Sequence, residues 1–127
     1  MDIKEVSSNS LSFIGDAVYT LNVRKYFVES GFQASNKLQY LCNKCNSAKG
    51  QRKAFEFLKE INFFNNEELN AYKRGRNNIR HIPKSSDLLT YQIASGLEAI
   101  VGYLYLTDKK RLDNLFKILF KEVFKDA

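Results

Sequence analysis

The chain has no tryptophan, one proline, one histidine and two cysteines in 127 residues, and none of its apolar runs is long enough to span a bilayer. Each scarcity removes a class of protein. Two cysteines cannot build the framework of a small secreted domain, and with no secretory signal the expected setting is a reducing cytoplasm. Cys42 and Cys45 have C-x-x-C spacing, but a structural zinc site takes four ligands. One histidine and no second cysteine pair do not supply them, so both cysteines read as packing residues. Without a long apolar run, no membrane span is expected. No segment alternates with period two, and no internal repeat or low-complexity tract appears, so the expected fold is all-α. The whole chain, 1–127, reads as one domain, long enough to bury a core without staples.

Acids are also missing where bases are plentiful. The formal net charge is +6 and the pI about 9.3, which suggests an anionic partner, nucleic acid before a membrane surface. From Ser30 to Phe55 there is no acidic residue, leaving Lys37, Lys44, Lys49, Arg52 and Lys53 as either a phosphate-binding face or an ordinary solvated one. Further on, Lys73-Arg74-Gly75-Arg76-Asn77-Asn78-Ile79-Arg80-His81-Ile82-Pro83-Lys84 holds five permanent positive charges, no acid and the only proline. It reads as an exposed basic loop, with phosphate contact preferred over mere solubility. His81 reads as a phosphate-contacting or exposed side chain, because no acid or nucleophile adjoins it to make it a base.

Helical periodicity organises the rest. After a short polar arm, Asn9 or Ser10 is expected to cap a first helix that runs to Ser30 and stops at Gly31, with Leu11, Ile14, Val18 and Leu21 as its inward stripe. Ser35 or Asn36 caps a second helix with Leu38, Leu41 and Cys42 inward. Ser47 caps a third carrying Ala54, Phe55, Leu58 and Ile61. Asn65 or Asn66 starts a short fourth that Gly75 ends. Ser85 or Ser86 caps a long helix whose stripe is Ile93, Leu97, Ile100, Val101 and Leu104. After a break at Thr107 and Asp108, Leu112, Leu115, Phe116, Leu119, Phe120 and Val123 line a last amphipathic helix. Tyr91, Tyr103 and Tyr105 read as packing rather than as a platform for bases.

Two of these helices carry an acid beside a glycine. Asp16 follows Gly15 within an otherwise apolar run, and Glu98 sits one turn before Gly102. A glycine inside a helix costs roughly 0.5–1 kcal/mol relative to alanine, and close backbone approach is a common offset. If Gly15 and Gly102 mark one crossing, Asp16 and Glu98 meet there. Two facing carboxylates need a proton or a cation between them, and hard oxygen ligands favour magnesium or manganese. The plainer readings are that Asp16 is an N-cap and that Glu98 pairs with a lysine.

Phe13-Ile14-Gly15-Asp16-Ala17, Lys73-Arg74-Gly75-Arg76-Asn77 and Leu97-Glu98-Ala99-Ile100-Val101-Gly102-Tyr103 together resemble the ribonuclease III catalytic domain. Specifically, the chain resembles the short bacterial branch, Mini-ribonuclease III, which lacks a double-stranded-RNA-binding domain. The resemblance implies a homodimeric, magnesium-dependent endoribonuclease, with manganese as a substitute, cutting double-stranded RNA and maturing large-subunit ribosomal RNA. Products would carry 5′-phosphate and 3′-hydroxyl ends. On this reading Asp16 and Glu98 are the catalytic metal ligands, and Lys49, Arg52, Arg74, Arg76 and Arg80 contact the RNA backbone. Phe13 anchors the dimer interface. Longer family members carry acids where this chain has Ser12 and Ser95, so more of the magnesium shell would be water or phosphate oxygen. The alternatives are a non-catalytic RNA-binding ribosome-assembly protein of the same fold and, further off, a helical adaptor.

Overall fold

A computed structural model describes residues 1–77 and 87–125. Six α-helices run through the described residues: α1 (Ser8–Glu29), α2 (Ser35–Asn46), α3 (Ala48–Glu60), α4 (Asn66–Asn77), α5 (Leu88–Thr107) and α6 (Lys109–Ile118). A 3₁₀ turn at Ile3–Glu5 precedes them, and a π-helical segment, Leu119–Val123, continues the last. No strand occurs among the described residues, and no helix there is long and apolar enough to cross a membrane.

The expected α5 stripe is buried as a whole, and α5 is the central helix, packed against α1, α3 and α4. At its crossing with α1 the backbones touch. A Cβ placed on Gly15 would stand 1.6 Å from the Glu98 carbonyl oxygen, and one on Gly102 would stand 2.0 Å from the Leu11 carbonyl oxygen. Any side chain at either place would push the helices apart, which is why the sequence accepts the cost of glycine there. Aromatic rings fill the core on either side of α5. Tyr26 stacks on Phe120 at 4.0 Å, and Phe55 stacks on Tyr72 at 4.1 Å.

Several helix ends differ from the sequence reading. The cap of α1 is Ser7, whose Oγ accepts from the Ser10 amide at 3.1 Å. The arm before it is held rather than loose, because Arg74 donates to the Val6 carbonyl at 2.6 Å. Ala34 precedes α2 with no side-chain cap. Asn65 and Glu68 cap α4 reciprocally, each side chain accepting from the other's amide, at 2.9 and 3.0 Å. Gly75 does not end α4. The helix runs through it to Asn77, and the missing side chain is what lets α4 lie against Ser95, Gly96 and Ala99 of α5. The expected caps of α5, Ser85 and Ser86, lie outside the described residues. The cap is Asp87, accepting from the Thr90 amide and hydroxyl. Those bonds hold its carboxyl below the usual range.

The inward face of α1 is also rotated from the expected one. Leu11, Val18, Tyr19, Val23 and Phe27 are buried, whereas Leu21 is 64% exposed. Leu21 sits about 200° around the helix from Tyr19, which is fully buried, so the apolar periodicity had two competing phases and the face through Tyr19 and Phe27 prevails. On α6 and its extension the expected stripe is buried except for Val123, which is half-buried and still packed on the core.

Candidate active site

Asp16 and Glu98 share a cavity of about 260 Å³ whose other walls are Asn46, Ala48, Gln51, Tyr91, Ala94 and Ser95. The Gly15–Gly102 contact brings them together, as the sequence suggested. Asp16 is not an N-cap, since it lies in the third turn of a 22-residue helix. Glu98 pairs with no lysine or arginine in the described residues. Its carboxyl is pushed from an ordinary 4.5 up to about 9, first by burial and then by the hydrogen bond and negative charge of Asp16, with the Gln51 amide opposing. At neutral pH, in the absence of a cation, Glu98 therefore keeps its proton.

Two polar walls of this cavity, Asn46 and Gln51, were not singled out from the sequence. Gln51 is buried, and its amide nitrogen donates to the Glu98 carboxylate at 3.3 Å and to the Asn46 carbonyl at 3.4 Å. Both come from the corner between α2 and α3. Ser47 ends one helix and caps the next, accepting from the Gly50 amide at 3.1 Å. A Cβ on Gly50 would lie 2.2 Å from the Lys44 carbonyl, so only glycine lets α3 fold back this tightly. From below, the buried Tyr19 hydroxyl donates to the Cys45 carbonyl at 3.2 Å.

A family model described as Ribonuclease III domain matches residues 9–109. The chain belongs to the ribonuclease III family. Among curated relatives it is 39% identical to the Mini-ribonuclease 3 of Staphylococcus aureus, covering 94% of this chain and 88% of that one. It is 34% identical to the Mini-ribonuclease 3 of Streptococcus pneumoniae over 97% and 98% of the two. A crystal structure of a Fusobacterium nucleatum protein has the same fold, with a TM-score of 0.82 and 31% identity over 94% of this chain and 96% of that one. This protein is accordingly a ribonuclease III-family endoribonuclease, and the family acts on double-stranded RNA.

The donor set of this cavity fits a hard divalent cation. Two carboxylates meet in it, and the buried Oδ1 of Asn46 has no hydrogen-bond donor among the described residues. No third acid joins them, as no group of three potential metal-ligating acids, cysteines or histidines occurs among the described residues. The two serines that stand where acids were noted as missing link helices instead. Ser12 donates to the Ser95 carbonyl at 3.3 Å, and Ser95 donates to the Gly75 carbonyl at 3.1 Å.

The basic residues are less uniform than the sequence reading. Lys49 is exposed on the first turn of α3 and lines a separate cavity with Arg52 and Lys53. Arg52 is engaged by Glu56 at 2.7 Å and by the Thr90 hydroxyl at 2.8 Å, so the acid-free stretch is compensated by the residue just past its end. Arg74 and Arg76 lie on α4 rather than in a loop. Arg74 is tied to the Val6 carbonyl, and Arg76 lies over the Tyr72 ring at 5.8 Å. Arg80 and His81 lie outside the described residues. Lys37 and Lys44 bracket the exposed ring of Tyr40.

The remaining expectations concern packing. Cys42 and Cys45 are buried free thiols, and burial pushes the Cys45 thiol up to about 12, which makes it inert as a nucleophile. Tyr103 is half-buried and donates to Glu67 at 2.8 Å. Phe13 is 79% exposed on α1, outside the core of its own chain.

Proposed function

We propose that the protein is a magnesium-dependent, homodimeric endoribonuclease that cleaves base-paired segments of precursor large-subunit ribosomal RNA in the cytoplasm, with manganese able to replace magnesium. The observation that carries this reading is the meeting of Asp16 and Glu98 in one cavity with no cationic side chain between them among the described residues. As carboxylates the two hold the ion, which supplies Lewis-acid chemistry at the scissile phosphate and an acidified water. Gln51 keeps one Glu98 oxygen in place. Hydrolysis breaks the bond from phosphorus to the 3′ oxygen, leaving 5′-phosphate and 3′-hydroxyl ends.

Lys49, Arg52, Arg74, Arg76 and Arg80 are assigned to the RNA backbone, which suits A-form RNA, recognised chiefly by shape. Arg52 has to exchange its bond to Glu56 for a phosphate, whereas Lys49 needs no such exchange, so Lys49 is the stronger candidate of the two. Support for the dimer comes from an apolar line on the outer face of α1, where Phe13, Ala17 and Leu21 follow one another at four-residue spacing and all are exposed. With a two-fold axis the Phe13 contact occurs twice. Phe13→Glu should shift sedimentation toward the monomer, and an unchanged dimer would remove Phe13 from the interface.

The deciding experiment is cleavage of a structured precursor ribosomal RNA, with and without magnesium, by the parent and by Asp16→Asn and Glu98→Gln. Each variant should lose about a thousandfold or more in rate while still binding the RNA. Near-parental cleavage by both would remove the assigned site.

A further inference from the structure

We infer that Asn46 is a further member of the cation site, presenting a neutral side-chain oxygen to the ion or to a water bound to it. This rests on the reading of Asp16 and Glu98 given under Proposed function. Asn46 lines the same cavity as the two carboxylates. Its Oδ1 is the one buried side-chain nitrogen or oxygen among the described residues that has no hydrogen-bond partner. Buried acceptors are nearly always satisfied, so an orphan points to a group that is present when the protein works.

Three neighbours that have protons to give, Gln51, Tyr19 and Ser47, are engaged elsewhere. Both amide protons of Gln51 are directed to the Asn46 backbone carbonyl and to Glu98. The Tyr19 hydroxyl is directed to the Cys45 carbonyl, and the Ser47 hydroxyl to the Lys44 carbonyl at 3.3 Å. What an acceptor wants in a cavity walled by two carboxylates is positive charge, and a hard cation is satisfied by neutral amide oxygens as well as by charged ones. Position is fixed as well. Asn46 is the last residue of α2, held between the Ser47 cap and the Gly50 contact, so the backbone from which its side chain starts is fixed. A neutral third donor also adds no charge to a pair that already repels.

The test is manganese binding to the RNA-free protein, followed by the spin-resonance signal of the free ion, together with melting in chelator. Asn46→Leu keeps the branched outline of the side chain and removes the oxygen. It should weaken manganese binding about tenfold while melting in chelator at or above the parent temperature, because an unsatisfied polar atom has been removed. A side chain needed only for packing or for the corner would instead lower the chelator melting temperature and leave metal affinity alone. Asn46→Asp places a charge on the same oxygen and should tighten binding. Parental manganese affinity in Asn46→Leu overturns the inference, and so does weaker binding in Asn46→Asp, which is expected if the amide nitrogen faces Glu98. If Asn46→Leu does not fold, Asn46→Asp alone decides. Asp16→Asn and Glu98→Gln separate the two levels. If they bind manganese as the parent does, the cation site itself is wrong. If they lose it while Asn46→Leu keeps it, only Asn46 is reassigned.

Discussion

Two glutamates, Glu68 and Glu98, are withdrawn from solvent in this molecule and are treated in opposite ways. Glu68 on α4 is fully buried and surrounded by donors: the Asn65 amide and two nitrogens of Arg111, whose guanidinium also donates to the Phe63 carbonyl. Glu68 in turn holds the Arg111 guanidinium above its ordinary value. Glu98 on α5 faces another acid, receives one amide at 3.3 Å, and retains its proton up to about 9. A completed ion pair fixes α6 against the start of α4. An incomplete one leaves a place for a charge that the described residues do not supply. Burial of an acid is thus no guide to its role until its partners are counted.

Removing the partner of Glu68 gives the largest expected effect on stability. Arg111→Ala leaves a buried carboxylate without its counter-ion and should destabilise the fold by about 3–5 kcal/mol, read from urea denaturation. Cleavage per folded molecule should stay near that of the parent. Glu68→Gln keeps the shape and an acceptor, so a smaller loss of about 1.5–3 kcal/mol is expected, the range for a hydrogen bond to a charged group. Losses below about 1 kcal/mol in both would place this pair with ordinary surface ion pairs and dissolve the contrast with Glu98.

Much of this was legible in the sequence. The α5 stripe, the Ser47 cap and the pairing of Gly15 with Gly102 follow from periodicity and from the cost of glycine in a helix, and the meeting of Asp16 with Glu98 follows from that pairing. Gly75 misled because a glycine near the end of a helical pattern reads equally as a stop or as a close crossing, and only the position of α5 decides. Leu21 misled because α1 is apolar on several faces, so periodicity did not fix which one is inward. Asn46 and Gln51 were not legible. They reach the cavity through a corner between two helices, and a polar residue at such a corner has the same local pattern as any exposed one. Arg52 looked unpaired because the acid that binds it lies one residue past the acid-free stretch, four positions along the helix, where side chains face each other.

The central claim, that the Asp16–Glu98 pair waits for a cation, is tested most directly by the melting temperatures of the parent and Glu98→Gln, in chelator and in magnesium, from pH 5 to pH 9. The folded state holds the Glu98 proton more tightly than the unfolded chain. The stability linked to it is therefore complete below 4.5 and lost as pH rises toward 9. In chelator the parent should fall relative to Glu98→Gln across this range. Magnesium should raise the parent melting temperature, increasingly so toward pH 9 where the ion no longer competes with the proton, and should leave Glu98→Gln nearly unmoved. A parent that does not respond to magnesium, or a Glu98→Gln variant that gains as much as the parent at every pH, would contradict the account.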